Sequence, residues 1–249
     1  MCKPINAKIK SFGELTIPDQ SVGNSMLNVM PFIHTGKYQT LPDMYKQWEP
    51  TFNKILAKIP LQEGANQHYI TINSEFFTSS GTQRREGVHI DGNFCVDPNF
   101  VDTLGNFKAS WGGVAPAPIE TWSGITPTPG ILTEQADNSH VQMDWVLPYD
   151  VVIPISKYVS NDKGGLFIVS SNVGSKAYQG IMDVEVGPEG SLEHAKESLI
   201  NPIYVPKHEL IFLTSNTPHE TLEISAGERR TFMRLTLNHN YNNNQILKN

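Results

Sequence analysis

The chain has 249 residues, of which 39% are hydrophobic and 18% are charged, and its net charge is −6. This length and composition predict a globular protein with one sizeable core and argue against extended disorder. A duplex-binding protein needs a basic surface to neutralise phosphates, so the negative charge disfavours nucleic acid as a partner. With two cysteines and no apolar stretch near the ~20 residues of a membrane span, we expect a reduced, soluble, cytoplasmic protein that does not enter membranes.

The first regular pattern along the chain is helical. Apolar side chains recur at steps of three and four from Tyr45 to Ile59, which is the spacing of one face of an amphipathic helix. Pro50 interrupts this pattern, so we expect either a kink or two short helices, the second starting at Glu49-Pro50. We interpret residues 1–65 as an N-terminal helical extension whose apolar stripe packs against a core.

After about residue 67 the chain changes to short β-rich runs separated by Gly, Pro, Asn and Ser, which is typical of a sandwich or barrel. The predicted strands are 68–72, 87–94, 141–147, 151–155, 165–170, 203–205, 209–214, 221–224 and 231–237. We interpret residues 180–198 as an acidic surface excursion with a short helix around 192–198, and the Asn-rich tail 239–249 as poorly ordered. Because we find neither a repeat nor a linker, we predict a single domain over 1–249 with its β core at 66–238.

One long segment has no strand pattern. Residues 105–139 are rich in Gly, Pro and Thr and contain Trp111 and Trp122. Loops of this length are uncommon in compact domains unless they act as lids or binding loops, or are disordered. Because disordered segments are poor in Trp, we predict an ordered lid loop whose Trp111 and Trp122 contact a substrate. The alternative is a loop packed on the outside of the β core.

Three residues have the chemistry of a metal site. His89 and Asp91 are separated by one residue in a predicted strand, so both side chains point to the same face. His219 follows the strand 209–213 and the turn 215–218, at the start of the next strand. Two imidazoles and one carboxylate form a facial triad, which suits non-heme Fe(II) and leaves coordination positions open. Either histidine alone is more simply structural, so the prediction depends on the whole set.

This pattern resembles the family of Fe(II)- and 2-oxoglutarate-dependent dioxygenases, in which His-x-Asp is followed by a long spacer, a distal His and then a basic residue. The resemblance covers roughly residues 66–238 and implies a mainly β, double-stranded β-helix (jelly-roll or cupin-like) fold. It implies that His89, Asp91 and His219 bind Fe(II), with 2-oxoglutarate as cosubstrate and O2 as oxidant. It also implies that Arg230, eleven positions after His219, holds the C5 carboxylate of 2-oxoglutarate.

The arginines near the end of the pattern leave an alternative open. Arg234 shares a strand face with Arg230, and some members of the family use a second arginine there for an anionic substrate. We therefore take both as candidates for cosubstrate binding, because the planar guanidinium group binds carboxylates with two hydrogen bonds. If the apolar residues that alternate with them face the pocket instead, Arg229 is the pocket residue.

Further polar residues lie near these elements. His140, Gln142 and Asp144 alternate on one predicted strand face, but no second histidine accompanies them at a comparable place. We interpret them as pocket-lining or structural residues, with Gln142 a candidate donor to the cosubstrate or substrate. Asn93 and Arg84 flank the metal strand and are candidate substrate or supporting residues.

The expected function is therefore hydroxylation of a small polar or anionic metabolite, such as an amino acid, coupled to oxidative decarboxylation of 2-oxoglutarate. A peptide or protein side chain is the second choice of substrate. One alternative keeps the metal but not 2-oxoglutarate, as in cupin-type dioxygenases or isomerases. Another is a non-enzymatic β-sandwich module whose aromatic loop grips a ligand such as a carbohydrate, in which case no metal is bound.

Overall fold

The computed structural model of the protein describes residues 4–18, 24–91, 140–144, 163–187, 190–238 and 240–248, with the backbone alone for 140–144. Within these ranges the chain is mainly β, and its strands pair antiparallel apart from one parallel pair. The mainly β class predicted from the sequence is therefore confirmed. No helix in the described ranges is long and apolar enough to cross a membrane.

The strands form three sheets. They are β1 (Ile5–Ala7), β2 (Ile9–Glu14), β3 (Asn24–Ile33), β4 (Gln67–Phe76), β5 (His140–Asp144), β6 (Leu166–Ser170), β7 (Ser175–Tyr178), β8 (Gly180–Met182), β9 (Pro202–Tyr204), β10 (Glu209–Leu213), β11 (His219–Thr221) and β12 (Arg229–Thr236). The largest sheet has seven strands in the order β2-β10-β6-β12-β4-β3-β5, and a second has three in the order β11-β7-β9. β1 pairs with β8, and β3 and β5 are the parallel pair.

Two short helices follow β3. A 3-10 helix at Asp43–Trp48 is followed directly by α1 (Glu49–Leu56), so of the two predicted alternatives, a kink or two short helices, the structure has the second. Pro50 stands in the first turn of α1, where a backbone N–H has no partner within the helix in any case. The helices bury the apolar stripe seen in the sequence, which includes Tyr45, Trp48, Phe52, Ile55 and Leu56.

Apolar side chains on the strands of the seven-stranded sheet point alternately to its two faces. Each face packs in a different core cluster. On β12, Met233 and Leu235 join a core cluster with the apolar face of α1, whereas Phe232 joins a different cluster. That second cluster includes Ala177 of β7, so it lies between the seven-stranded and the three-stranded sheet. Phe232 and Ile168 belong to it and also line the cavity described below. The candidate site therefore lies in the interior between the two sheets.

The N-terminal stretch is more than the helical extension that we predicted for residues 1–65. It contains β1, β2 and β3, and both β2 and β3 belong to the seven-stranded sheet. β2 and β3 are only partly buried, so buried apolar and exposed polar residues do not alternate clearly along them. A register shift between Leu27 and Met30 also interrupts the two-residue period of β3, as a bulge does. The helical description holds for residues 43–56 but was wrong for the parts of this stretch that form β1, β2 and β3.

Several predicted strands differ in extent. In the described part of the predicted strand 87–94, the pairing is limited to bridges at His89, and the predicted strand 221–224 starts earlier, as β11. Residues 180–198 include the expected short helix, a 3-10 turn at Glu193–Ser198, but also β8, which was missed. The predicted strand 151–155 and the predicted lid loop 105–139 lie outside the described residues.

The C-terminal tail is structured, against the expectation of poor order at 239–249. It contains α2 (Asn244–Lys248), and both Ile246 and Tyr241 are fully buried. The Tyr241 hydroxyl donates to the carbonyl of Pro60 at 2.9 Å. Tyr241 and Ile246 belong to the core cluster that contains the apolar face of α1, and Leu247 packs against it, so apolar burial docks the tail on the core.

Candidate metal centre

His89 lies in an extended segment that is held from both sides. Its N–H donates to the carbonyl of His219 at 2.9 Å, and the N–H of His219 donates to the carbonyl of His89 at 2.8 Å. On the other side, Ile90 N–H donates to the Gly190 carbonyl at 2.9 Å. Gly190 has a φ of +78°, and a Cβ there would lie 2.5 Å from the Ile90 carbonyl oxygen, so this close approach requires glycine. The two histidines are thus direct backbone partners although they are distant in sequence.

The side chains of His89, Asp91 and His219 converge on one point. Their candidate ligand atoms all lie within 4.8 Å of one another. His89 Nε2 is 3.7 Å from Asp91 Oδ1, and His219 Nε2 is 3.5 Å from Asp91 Oδ2. All three residues are buried. This group could bind a metal ion.

The hydrogen bonds of the two imidazoles define which ring nitrogen carries a proton. His89 Nδ1 lies 2.8 Å from the Gly87 carbonyl, and His219 Nδ1 lies 2.9 Å from the Thr217 carbonyl. A carbonyl oxygen only accepts, so both Nδ1 atoms donate, and Nε2 of each ring is the nitrogen that faces Asp91. Two imidazole nitrogens and a carboxylate therefore face one another, and each nitrogen offers a lone pair when its ring is uncharged. A backbone carbonyl on the second ring nitrogen is typical of a metal-binding histidine.

Arg234 holds the carboxylate of this group. Its Nη1 donates to Asp91 Oδ2 at 2.6 Å, the short distance of a charge-assisted bond. Burial alone would raise the pKa of the Asp91 carboxyl, but Arg234, followed by His219 and His89, outweighs burial and holds that pKa below its ordinary range. Burial and the nearby His219 lower the pKa of His89 to about 4. At neutral pH the site thus contains a carboxylate and an uncharged imidazole at His89, the forms that bind metals.

The three residues lie on the wall of a cavity of about 290 Å³. Its lining includes four arginines and, among the described residues, a single carboxylate. The lining residues are Met26, Gln83, Arg84, Arg85, His89, Asp91, Ile168, Ser175, His219, Thr221, Arg230, Phe232 and Arg234. The cavity therefore combines metal ligands with an excess of positive charge, which suits anionic small molecules.

Arg230 is the most enclosed of these arginines, with 1% of its surface exposed. Its Nε donates to Ser170 Oγ and its Nη2 to Ser175 Oγ, both at 3.1 Å, while its Nη1 has no partner among the described residues. The guanidinium group lies 5.2 Å from the centre of the Phe232 ring. On its other side is Gly174, where a Cβ would overlap the guanidinium atoms. The side chain is thus fixed in place, with one nitrogen left for a ligand.

The other predicted site residues have different outcomes. Arg84 lines the cavity, whereas Arg229 is outside its lining and stacks over Phe76 at 5.7 Å. Gln142 lies on β5, where only backbone pairing is described. Trp111, Trp122 and Asn93 lie outside the described residues. The roles assigned to Arg230, Arg234 and Gln142 in cosubstrate binding stay predictions.

Sequence reasoning missed the residues that support the arginines. Ser170, Gly174 and Ser175 surround Arg230, and Gln83 donates from its side chain to the Arg230 carbonyl at 3.0 Å. The signal in the sequence was partial. Ser170 ends the predicted strand 165–170, and Ser175 begins the observed strand β7. Nothing in their spacing connects them to an arginine some sixty residues further along the chain.

A larger hollow, of about 400 Å³, lies beside α1. Its lining includes His34, Lys37, Tyr38 and Asn53, and among the described residues it has no carboxylate. A single imidazole does not make a metal site. The smaller cavity therefore holds the candidate chemistry.

Comparisons of the chain with protein-family models, with curated protein sequences and with solved structures find no match. The case for a function consequently depends on the geometry of the site.

Proposed function

We propose that this protein is an Fe(II)- and 2-oxoglutarate-dependent dioxygenase that hydroxylates a small polar or anionic metabolite, such as an amino acid. The observation that supports this most is the convergence of His89, Asp91 and His219 in a cavity whose wall also carries Arg230. Two histidines and one carboxylate are the ligand set of non-heme Fe(II) oxygenases. A buried arginine nearby supplies the partner that the distal carboxylate of 2-oxoglutarate requires.

We further propose that the sheets form a double-stranded β-helix. Its support is the apolar cluster between the seven-stranded and the three-stranded sheet, with the candidate ligands on segments that border this interior. β11 begins with His219 and belongs to the three-stranded sheet, while Arg230 belongs to the seven-stranded one. Ligands for a metal and for a cosubstrate thus come from both sides of one interior, as in the family that the sequence resembles.

In this proposal each side chain has a defined task. His89 and His219 hold the metal through Nε2, with their Nδ1–H groups fixed on backbone carbonyls. Arg234 keeps Asp91 ionised and fixes its orientation. When bound, Fe(II) supplies the O2 chemistry that couples decarboxylation of 2-oxoglutarate to substrate hydroxylation.

Arg230 binds the C5 carboxylate of 2-oxoglutarate. Its position is fixed by Ser170 and Ser175, so little rotamer freedom is lost on binding. Phe232 and Ile168 give the cavity an apolar wall that excludes water and strengthens the ion pair. Arg229, outside the cavity lining, has no part in this binding.

The test is succinate formation from 2-oxoglutarate by the purified protein with Fe(II), ascorbate and O2, with and without candidate metabolites. Asp91→Ala should remove both metal binding and turnover. Arg230→Gln should leave the metal in place and raise the KM for 2-oxoglutarate more than tenfold, because a desolvated charge pair is worth roughly 2–5 kcal/mol. Arg229→Gln is the matched control and should behave like the wild type.

Two results would end this proposal. If the wild type binds Fe(II) but calorimetry detects no binding of 2-oxoglutarate, a metal dioxygenase or isomerase that does not use 2-oxoglutarate becomes the better conclusion. If the wild type binds no divalent metal, a non-enzymatic binding module is favoured. An Arg229→Gln variant that loses 2-oxoglutarate while Arg230→Gln keeps it would overturn the assignment of the arginine alone.

A further inference from the structure

The positive charges of the cavity outnumber its negative charge. Among the described lining residues, Asp91 is the one carboxylate, whereas four arginines border the same space. Arg85 takes part in an interaction of its own, so it is set aside. Three arginines remain, and the anionic partner of each can be considered in turn: Arg84, Arg230 and Arg234.

Two of these three arginines already have a partner. Arg234 forms its charge-assisted hydrogen bond with Asp91. Arg230 receives the C5 carboxylate of 2-oxoglutarate in the proposed function. Neither a hydrogen bond nor an ion pair of Arg84 is found in the described part of the chain, although it borders the cavity.

The segment that carries Arg84 is anchored at both ends. Gly81 exchanges two backbone hydrogen bonds with Ile224, at 3.1 and 2.7 Å. Gln83 is buried and donates to the Arg230 carbonyl, and Val88 N–H donates to Glu193 at 2.7 Å. Arg84 therefore lies on a segment whose flanking residues are held by hydrogen bonds.

Arg84 also experiences its neighbours electrostatically. Burial, followed by the positive charge of Arg234, lowers the pKa of Arg84 to about 9, while Asp91 opposes this shift. The group stays charged at neutral pH, and its positive charge lies near the charges of Arg234 and Arg230. An anion placed against it would relieve both the desolvation and the repulsion from Arg234 and Arg230.

We propose that Arg84 is the substrate-binding residue of this site and that it receives a carboxylate group of the metabolite that is oxidised. This inference rests on the proposed function, because it assigns Arg230 to 2-oxoglutarate. A carboxylate fits better than a phosphate dianion, since a single unassigned positive charge matches a single negative charge. The planar fork of Arg84 also matches the two oxygens of a carboxylate.

The test uses acetate as a minimal carboxylate probe. The protein is loaded with Zn(II), a redox-inert stand-in for iron, and with saturating 2-oxoglutarate, so that the metal and Arg230 are occupied. Saturation-transfer NMR then follows the methyl protons of acetate, of acetamide and of methylphosphonate. We expect saturable transfer to acetate and little to acetamide. Arg84→Gln should weaken acetate binding about fivefold or more, and Arg84→Lys should restore part of it.

The controls separate this inference from the proposed function. Lys37→Gln changes the net charge equally at an exposed position outside the lining of this cavity and should keep wild-type acetate binding. Unchanged Zn(II) affinity shows that Arg84→Gln is folded. If 2-oxoglutarate fails to bind in a prior calorimetric titration, the proposed function fails, and the effect of Arg84→Gln on acetate is scored without it. Equal acetate binding by wild type and Arg84→Gln, or tighter binding of methylphosphonate than acetate, would overturn the role of Arg84.

Discussion

Asp91 and Glu220 are both buried carboxylates beside cationic side chains, yet their oxygen atoms are used differently. Glu220 Oε1 accepts from the Tyr178 hydroxyl at 2.8 Å and faces Lys176 Nζ at 3.1 Å. Its Oε2 accepts from Lys196 Nζ at 2.7 Å. Burial alone would raise the pKa of Glu220, but the bonds from Lys196, Tyr178 and Lys176 outweigh it and lower that pKa. Each oxygen of Glu220 thus has a donor.

Asp91 has a donor at one oxygen and faces an imidazole nitrogen that accepts at the other. Arg234 donates to its Oδ2, whereas Oδ1 faces the Nε2 lone pair of His89 at 3.7 Å. Both carboxylates are ionised and buried, so burial and charge do not distinguish a binding site from a structural ion pair. The difference is whether the lone pairs that face each carboxylate are matched by protons. Unmatched lone pairs indicate a place for a cation.

Metal affinity should separate the two carboxylates most clearly. Asp91→Asn keeps the shape of the side chain but removes an anionic ligand, and we expect the affinity for Fe(II) or Zn(II) to fall roughly a hundredfold or more. Glu220→Gln, the matched change one residue after His219, should alter affinity less than about threefold. Calorimetric titration of both variants measures the difference. A loss of similar size in both variants would show that metal affinity depends on the overall negative charge and not on Asp91 as a ligand.

For the stability of the metal-free protein we expect the opposite order, with the larger effect at Glu220. Glu220→Gln leaves the ammonium groups of Lys176 and Lys196 without their carboxylate, and we expect the free energy of unfolding to fall by about 2 kcal/mol. The estimate is modest because Lys196 is partly exposed to solvent. Urea denaturation of the metal-free protein measures this value. Tyr178→Phe removes one neutral donor and should cost about half as much; an unchanged midpoint for Glu220→Gln would contradict a structural role.

A smaller effect, limited to the binding of 2-oxoglutarate, is expected from a substitution at Gly174, beside Arg230. A Cβ at Gly174 would overlap the guanidinium group of Arg230, so Gly174→Ala should displace Arg230 while leaving His89 and Asp91 in place. We expect the KM for 2-oxoglutarate to rise about tenfold, or 1.4 kcal/mol, with metal affinity unchanged. Steady-state succinate formation measures KM, and Gly81→Ala is a control because its added Cβ would lie at an ordinary contact distance, 3.8 Å, from the nearest atom of Phe77. A KM that is unaffected by Gly174→Ala would mean that Arg230 is not the cosubstrate residue.

The contrast also shows which parts of this molecule the sequence could predict. His89, Asp91 and His219 stood out because their residue types and spacing have few other uses together, and the structure brings them to one point. Arg230 and Arg234 were placed on one strand face by the two-residue period of β12, which the cavity lining matches. Local periodicity, the chemistry of side chains and the resemblance to a known family carried these predictions.

Glu220 could not be recognised in the same way. Its partners Lys176 and Lys196 come from different elements, and only the pairing of β11 with β7 brings one of them close. The edge strand β2 was missed for a related reason, since it is half exposed and gains its order from β10. Contacts between distant segments depend on which strands pair, and a pattern within one segment does not record this.

The buried imidazoles of His68 and His89 also differ, and this difference bears on how stability depends on pH. His68 lies outside the cavity, and its Nδ1 accepts the N–H of Asn238 at 3.1 Å while its Nε2 has no partner among the described residues. Burial, followed by the nearby His34, lowers the pKa of His68 to about 3. Unlike His89, whose lone pair a metal can use, His68 has no ligand to offset the cost of its burial.

Acid should therefore destabilise the protein through His68. The folded pKa lies below the value of about 6.5 in the unfolded chain, so between pH 6.5 and 3 the unfolded state binds the extra proton and stability falls as pH falls. One such group contributes a slope of up to about 1.4 kcal/mol per pH unit, which His68→Phe should remove. Urea denaturation at pH 7, 6, 5 and 4 measures the slope, with the exposed His194→Gln as control. If His68→Phe and the wild type lose stability in parallel, the acid sensitivity arises at His89 instead, and added Zn(II) should then suppress it.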